Sequence, residues 1–382
     1  MDNTVHKTTI DILRYVLTGK AEKITQDIDF NELYTFSKSH GVENMIYVGL
    51  RDMNIGVPED IMAKFKQAYE IQIMVEATQA LELEAIGRAF EEAGIDYIPL
   101  KGSVIKYLYP MPDYRKSGDI DILVRENCFE KASQILESLE YTEDLGSHDH
   151  PVHRVFKKAP CIMVELHKKL ARKTERAAAF YDRVWEYACI EEQAHHLKMT
   201  NEYLYVYCLA HFCKHLYYGG IGISHLNDLY ILKKQRGLNN DLITELLECA
   251  NLSEINKLAD GLINKWYGDL TTADEDVLLL EQIVLNSGTF GSKEFRYVLT
   301  NSQGTSGKVF RALKKIFPNK EVLKDKYCSL NDNRPTIQLL MYHWYYTVKN
   351  NKKSIGMFVK ETTNSKASNA QLRRFVNMIN EK

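Results

Sequence analysis

The sequence predicts an α+β protein in which a small mixed β-sheet is flanked by α-helical regions on either side along the chain. Apolar residues recur with helical spacing over most of residues 1–93, and extended β-branched runs concentrate between residues 94 and 190. Helical spacing then returns in residues 191–382. We therefore predict an N-terminal helical region (1–93), an α/β core (94–190) and a C-terminal helical region (191–382).

Length and charge narrow the range of functions. The 382 residues suffice for two or three cooperating units, and 49 basic residues nearly balance 51 acidic ones. This balance disfavours a protein that binds nucleic acid through its overall charge. Binding through a local basic groove is still an alternative. No apolar run has the length of a membrane span, and residues 1–10 are too polar for a secretion signal. We expect a cytoplasmic protein without a membrane partner, and its seven cysteines fit reduced thiols.

The N-terminal region is expected to contain four helices. Asp29 is a candidate N-terminal cap, and Gly19 and Gly94 are candidate C-terminal stops. The predicted ranges are 6–17, 30–40, 44–53 and 61–93.

The most informative stretch is Tyr97–Val124. A short apolar run breaks at residues 101–103, and a later β-branched run carries Asp119 and Asp121 at alternate positions. Alternate residues of a strand lie on one face, about 7 Å apart. The two carboxylates therefore project together, and such a pair can share two divalent ions about 4 Å apart.

The turn at Gly102 and Ser103 suits a phosphate group. Glycine lets the backbone come close to a ligand, and a following helix offers unpaired N–H groups with a positive dipole end. The alternative is a simple strand-to-helix turn with a serine cap.

A further acid, Glu165, lies in the middle of the extended run 161–168. Ile162, Val164 and Leu166 fall on one face of this run, and Glu165 and His167 fall on the other. A buried, unpaired acid would cost several kcal/mol. We therefore expect a partner bonded to Glu165.

This pattern resembles the nucleotidyltransferase superfamily of the DNA polymerase β type, whose members carry a Gly-Ser turn, an Asp-x-Asp strand and a third acid. More closely, it resembles a largely uncharacterised bacterial nucleotidyltransferase family with a Lys-Gly turn followed by Arg-x-x-Gly-Asp-Ile-Asp. Glu165 stands where that family has its third acid, in Val-Glu-Leu-His, although Lys168 replaces the usual aromatic residue after the histidine. The matching residues of the first block are Lys101, Gly102, Arg115, Gly118, Asp119 and Asp121.

The resemblance implies transfer of NMP from an NTP, with ATP as the expected donor, to a hydroxyl of an unknown acceptor, with release of pyrophosphate. Two Mg²⁺ ions would be held by Asp119 and Asp121, and one of them also by Glu165. One ion would orient a triphosphate resting on the Gly102–Ser103 turn, and the other would lower the pKa of the acceptor hydroxyl. Glu165 would be the base, or the metal ligand that makes a separate base unnecessary.

Other activities remain open at this point. A metal phosphodiesterase or a phosphotransferase could use the same acids. A catalytically silent nucleotide-binding adaptor or AMP transfer to a protein partner would also fit. Lys101 and Arg115 either neutralise phosphates or are surface charges at loop ends.

The predicted helix 203–216 resembles the family's His-x-x-Lys-His helix. Its Lys214 and His215 are expected to hold the triphosphate tail, with a packing role as the alternative. His211 and His215 are spaced i, i+4 and could grip zinc, but the sequence shows no evident third ligand. The family tends to have arginine three residues before the aspartate of the next helix, and this chain has His225 there.

Three further features are ambiguous, and a fourth, a P-loop-like stretch, can be dismissed. The residues His148, His150 and His153 form either a zinc site or, more simply, a mobile loop near the cleft. A P-loop-like stretch at 304–308 lacks the required spacing and hydroxyl, and the polar stretch 350–369 is either a mobile tail or a crossing loop. The basic cluster is either a solvated helix face or a site for an anionic substrate; it comprises Lys168, Lys169, Arg172, Lys173 and Arg176.

Overall fold

The computed structural model describes residues 3–21, 24, 28–148, 150–173, 175, 177–191, 194–218, 221–270, 272–288, 323 and 338–341. The P-loop-like stretch at 304–308 and the polar stretch 350–369 lie outside these residues. Arg176 of the basic cluster lies outside them too.

The four helices expected in the N-terminal region are present. Asp29 caps the second of them, because its carboxylate accepts hydrogen bonds from the N–H groups of Asn31 and Glu32 at 2.9 and 3.0 Å. Gly94 follows the fourth with φ +68°, a left-handed conformation that favours glycine. The four helices are α1 (Asn3–Thr18), α2 (Phe30–Ser39), α3 (Glu43–Asp52) and α4 (Glu59–Glu92).

A five-stranded mixed sheet follows, in the order β1-β2-β5-β4-β3. Strands β2 and β5 are parallel, whereas the other neighbouring pairs are antiparallel. This arrangement confirms the predicted α+β class with a small mixed sheet. The strands are β1 (Tyr97–Pro99), β2 (Ile120–Val124), β3 (Thr142–Glu143), β4 (His153–Lys158) and β5 (Ile162–His167).

Short helices and a second strand pair complete this part of the chain. The helical turn α5 (Gly102–Ile105) follows β1, and α6 (Phe129–Ser138) follows β2. Strands β6 (Ala188–Ile190) and β7 (Leu197–Met199) form a separate antiparallel pair. The predicted domain limit at residue 190 falls between these two strands, and the domain limits stay a prediction.

Further α-helices follow β5 in the part of the chain that the structure describes. They are α7 (Ala178–Tyr181), α8 (Asn201–Tyr218), α9 (Ile223–Lys233), α10 (Asn240–Ala250), α11 (Ser253–Tyr267) and α12 (Glu275–Ser287). Among the described residues, no helix has both the length and the apolar character that a membrane crossing requires.

The sheet separates two hydrophobic cores. On one face, Ile120 and Ile122 of β2 pack with Phe90 of α4 and Phe129 of α6. On the other face, Leu123 belongs to a larger core that includes residues of α1, α2 and α8–α12. The second face of the sheet is therefore the one that the C-terminal helices cover.

Candidate active site

The structure brings Asp119, Asp121 and Glu165 together. In the parallel pairing of β2 with β5, Asp121 lies directly opposite Glu165. One carboxylate oxygen from each of the three acids lies within 4.8 Å of the others. The alternation that buries Ile120 and Ile122 on one face of β2 directs Asp121 to the opposite face, as the strand pattern predicts.

Asp121 is the best paired of the three acids. Its Oδ1 accepts a hydrogen bond from the Lys101 ammonium at 2.8 Å and lies 2.9 Å from His167 Nε2. Burial favours the neutral carboxyl, but the charge of Lys101 and the hydrogen bond from His167 outweigh it and lower the pKa of Asp121. Asp121 is therefore ionised at neutral pH although its side chain is only 3% exposed.

Asp119 has the opposite electrostatic character. Burial and the adjacent charge of Asp121 raise its pKa to about 6. Lys101 partly opposes this shift. The acid cluster therefore carries more negative charge than its own cations neutralise, and a divalent cation would relieve that excess.

Glu165 is held by histidines. His167 Nε2 lies 3.4 Å and His153 Nδ1 lies 3.9 Å from its Oε2. Burial opposes ionisation, but the hydrogen bond from His167 lowers the pKa of Glu165. Burial favours the neutral ring of His167, but its hydrogen bonds to Asp121 and Glu165 outweigh this effect and raise its pKa. The expectation that Glu165 has a bonded partner is confirmed, and His167 is the residue that ties Glu165 to Asp121.

Sequence reasoning placed His167 beside Glu165 but did not assign it a role, and it missed the contact of His153. The histidine loop is divided in the structure. His148 pairs with Glu143 at 2.8 Å, whereas the rings of His150 and His153 lie 4.2 Å apart and lead toward His167. Only part of the predicted histidine cluster therefore borders the acids.

The turn after β1 has an unusual backbone conformation and little space for side chains. Lys101 adopts φ +46° and ψ −123°, a region that favours glycine, and places its ammonium on Asp121. A Cβ at Gly102 would lie 2.6 Å from Ser117 Oγ, so a side chain there would collide with the loop before β2. The N–H of Ser103 donates to Leu100 within the turn. A phosphate cradle here therefore depends on the Gly102 N–H and the Ser103 hydroxyl, and it stays a prediction.

Arg115 is anchored to the C-terminal helices. Its Nη2 lies 2.9 Å from Asp228 Oδ2, and its Nε lies 3.0 Å from Oδ1. Tyr109 also donates a hydrogen bond to Asp228, at 2.7 Å. Arg115 and Lys101 are thus each paired with a buried carboxylate, and neither is a loose surface charge.

Helix α8 brings Tyr207 and His211 within electrostatic reach of the acid cluster. The charge of Asp121 contributes to the raised pKa of buried Tyr207, and Lys101 contributes to the lowered pKa of His211 one turn later. Lys214 lies farther out, with its ammonium 2.9 Å from Glu175 and its side chain 43% exposed. Contact of Lys214 and His215 with a triphosphate stays a prediction.

A family model described as an uncharacterised nucleotidyltransferase matches residues 26–268, which is more than half of the chain. The chain belongs to this family. The matched range contains the whole acid cluster, the Lys101–Ser103 turn and helices α8 and α9. No curated protein and no solved structure matches the chain. Family membership supports nucleotidyl transfer as the general activity of this nucleotidyltransferase and an NTP as its substrate.

Proposed function

We propose that this nucleotidyltransferase moves NMP from an NTP, with ATP as the expected donor, to a hydroxyl of an acceptor and releases pyrophosphate. The observation that carries the proposal is the convergence of Asp119, Asp121 and Glu165 within 4.8 Å on one face of the sheet. Family membership supports the reaction class.

The acid cluster fits Mg²⁺. Its three donors are carboxylates, the oxygen ligands that hard cations prefer. Burial and the neighbouring charge of Asp121 both raise the pKa of Asp119, and a bound cation would offset both effects. Bound Mg²⁺ would neutralise charge on the triphosphate and acidify the acceptor hydroxyl.

The chain's own residues then divide the work. Lys101 and His167 keep Asp121 ionised and oriented, because both hold the same carboxylate oxygen. The lowered pKa of Glu165 makes it a weak proton acceptor. We therefore assign Glu165 to metal binding rather than to the role of general base.

The nucleotide phosphates would lie between the Gly102–Ser103 turn and helix α8. Lys101 and Arg115 would contribute positive charge on the sheet side, and Lys214 would contribute a donor on the helix side. Contact with Arg115 would have to leave its pairing to Asp228 intact or replace it, because both carboxylate oxygens are engaged.

Labelled ATP tests the reaction class directly. The full chain with Mg²⁺ is incubated with a panel of hydroxyl acceptors, once with α-labelled and once with γ-labelled ATP. NMP transfer is expected to move the α label to an acceptor and to release the γ label in pyrophosphate. Movement of the γ label to an acceptor would instead identify a phosphotransferase. Release of labelled phosphate alone would identify a hydrolase.

Failure to bind Mg²⁺ and ATP in calorimetry would contradict the proposal altogether. It would favour a chain that keeps the family fold without the reaction. AMP transfer to a protein is distinguished by including a proteome fraction among the acceptors and following the α label on a gel.

A further inference from the structure

Three histidines converge where helices α8 and α9 meet. His211 and His215 lie one turn apart on α8, and His225 lies near the start of α9. His211 Nε2 lies 2.9 Å from His215 Nε2, and one ring nitrogen from each of the three lies within 4.8 Å of the others. The ring centroids are 4.4, 5.0 and 5.7 Å apart.

These separations are close to those of a metal site. Nitrogen ligands about 2.0–2.1 Å from a tetrahedral ion lie about 3.3 Å from one another. The imidazoles of His211, His215 and His225 lie close enough to share an ion, although the stacked rings of His211 and His225, with an interplanar angle of 18°, would have to rotate to aim a nitrogen at it. Three imidazole ligands and no carboxylate suit Zn²⁺ and similar transition metals, and do not suit Mg²⁺.

The protonation of the rings is compatible with ligation. Burial and neighbouring positive groups lower the pKa of His211 and of His225 well below the ordinary value, so both rings are neutral at pH 7. His225 Nδ1 is buried and makes no hydrogen bond among the described residues. At least one nitrogen of this ring thus has no hydrogen-bonding partner in that part of the chain.

The surrounding charges have to be considered, because cations would oppose a bound metal. Lys101, Arg115 and Lys214 all act on this cluster. Each is ion-paired, however, with Asp121, Asp228 and Glu175 respectively. The net field at the histidines is therefore much weaker than three free cations would produce.

We propose that His211, His215 and His225 form a second metal site, distinct from the acid cluster, that binds one Zn²⁺ ion. Three protein ligands leave the fourth position of a tetrahedral ion to water or to an anionic oxygen. The site goes beyond the proposed transfer reaction, because binding of Zn²⁺ requires neither nucleotide nor acceptor. It also assigns His215 to the metal instead of to direct contact with the triphosphate.

The test uses the full chain, stripped of metal by a chelator and supplied with excess Mg²⁺ to fill the acid cluster. Zn²⁺ binding is followed by calorimetry, and Co²⁺ is used as a spectroscopic substitute. We expect one equivalent of Zn²⁺ to bind and Co²⁺ to give the intense visible bands of a tetrahedral nitrogen-rich site.

The variant His225→Gln should weaken Zn²⁺ binding at least about 100-fold, because loss of outer partners alone costs about 10–100-fold at metal sites. His148→Gln is the matched control, since His148 pairs with Glu143 away from the cluster, and it should bind as wild type. Asp119→Asn should also keep the Zn²⁺ site. Circular dichroism and a thermal melt verify that each variant is folded, and the Co²⁺ spectrum of the wild type reports ligand type without any variant.

Weak Co²⁺ bands typical of six oxygen ligands would overturn the proposal, as would unchanged Zn²⁺ binding in His225→Gln. Loss of the ion in Asp119→Asn but not in His225→Gln would place it in the acid cluster. None of these outcomes bears on NMP transfer, and an inactive chain that binds Zn²⁺ through the histidines would leave this proposal standing.

Discussion

The acid cluster and the histidine cluster differ in how the chain builds them. Asp121 and Glu165 stand on adjacent strands, and Asp119 immediately precedes the first of them; the positions of Asp121 and Glu165 follow from strand alternation and one parallel register. The histidines stand on two helices joined by a turn, and their meeting depends on how α8 packs against α9.

The electrostatic state of the two clusters also differs. Burial and the adjacent charge of Asp121 raise the pKa of Asp119 in the acid cluster, whereas burial lowers the pKa of His211 and of His225 and keeps both rings neutral. The first environment favours a hard cation with oxygen ligands, and the second favours a softer metal with nitrogen ligands. The two clusters thus suit different metal ions. Substitutions made in one cluster at a time distinguish their effects.

The largest expected effect is on catalysis. Asp119→Asn should lower the rate of NMP transfer at least about 10³-fold, because the variant removes a charged ligand of the proposed metal site while keeping the shape of the side chain. Transfer of the α label from ATP measures the loss. Asp144→Asn is the control, because Asp144 is an acid outside the cluster that pairs with Lys157. Comparable activity of the two variants would remove Asp119 from the site.

The sequence predicts the acid cluster well because the information is local. Spacing within one strand places Asp119 and Asp121 together, and the polar face of a second strand contains Glu165 and His167. Only the parallel pairing of these strands had to come from the structure. The helices, the mixed sheet and the Asp29 cap follow from equally local signals.

Contacts between distant elements could not be predicted in this way. The sequence analysis noted the i, i+4 pair His211 and His215 but found no third ligand, and it considered His225 only as a departure from the family's arginine. The pairing of Arg115 with Asp228 joins residues 113 positions apart, for which periodicity contains no signal. Nor does any local pattern show that Gly102 is needed to clear Ser117.

The second largest effect concerns the ion pair between Arg115 and Asp228. Asp228 lies one turn after His225 and binds Arg115, which precedes the acid strand. Asp228→Asn would leave the guanidinium and Tyr109 without their buried carboxylate partner. We expect a loss of about 3 kcal/mol in the free energy of unfolding, measured by urea denaturation.

The matched control for this variant is Asp269→Asn. Asp269 pairs with Lys20 at the surface, where the two side chains are 92% and 59% exposed. Such a pair contributes about 0–1 kcal/mol. An equally small loss in Asp228→Asn would mean that the ion pair between Arg115 and Asp228 does not stabilise the fold.

A smaller effect should appear in the pH dependence of stability. The carboxyl of Asp119 has a pKa of about 6 in place of the ordinary 3.8, so the folded chain binds this proton more tightly than the unfolded chain. Its contribution to stability is therefore complete below about pH 4 and is lost as the pH rises through about 6. Asn cannot ionise. A rise in pKa from 3.8 to about 6 corresponds to at most about 3 kcal/mol, and the partial exposure of Asp119 to water reduces this figure. Asp119→Asn should therefore match the metal-free wild type near pH 4 and exceed its stability by about 1–2 kcal/mol near pH 7.5.

Mg²⁺ should reverse this order at neutral pH, because only the wild type gains binding free energy from the ion. Thermal melts of the wild type and of Asp119→Asn, near pH 4 and near pH 7.5 and with either Mg²⁺ or a chelator, measure these differences in stability. A wild type that is already the more stable protein without metal near pH 7.5 would contradict the idea of uncompensated charge in the acid cluster.

The smallest expected effect separates the charge of Lys101 from its backbone. Lys101→Gly and Lys101→Ala both remove the ammonium from Asp121, but only glycine adopts φ +46° and ψ −123° without strain. Relief of such strain contributes about 1–3 kcal/mol, and the greater flexibility of unfolded glycine offsets about 0.5–1 kcal/mol of it. Lys101→Gly should thus be about 1 kcal/mol more stable than Lys101→Ala in urea denaturation. The reverse order would mean that the turn is relaxed, and that Lys101 is required at this position for its charge alone.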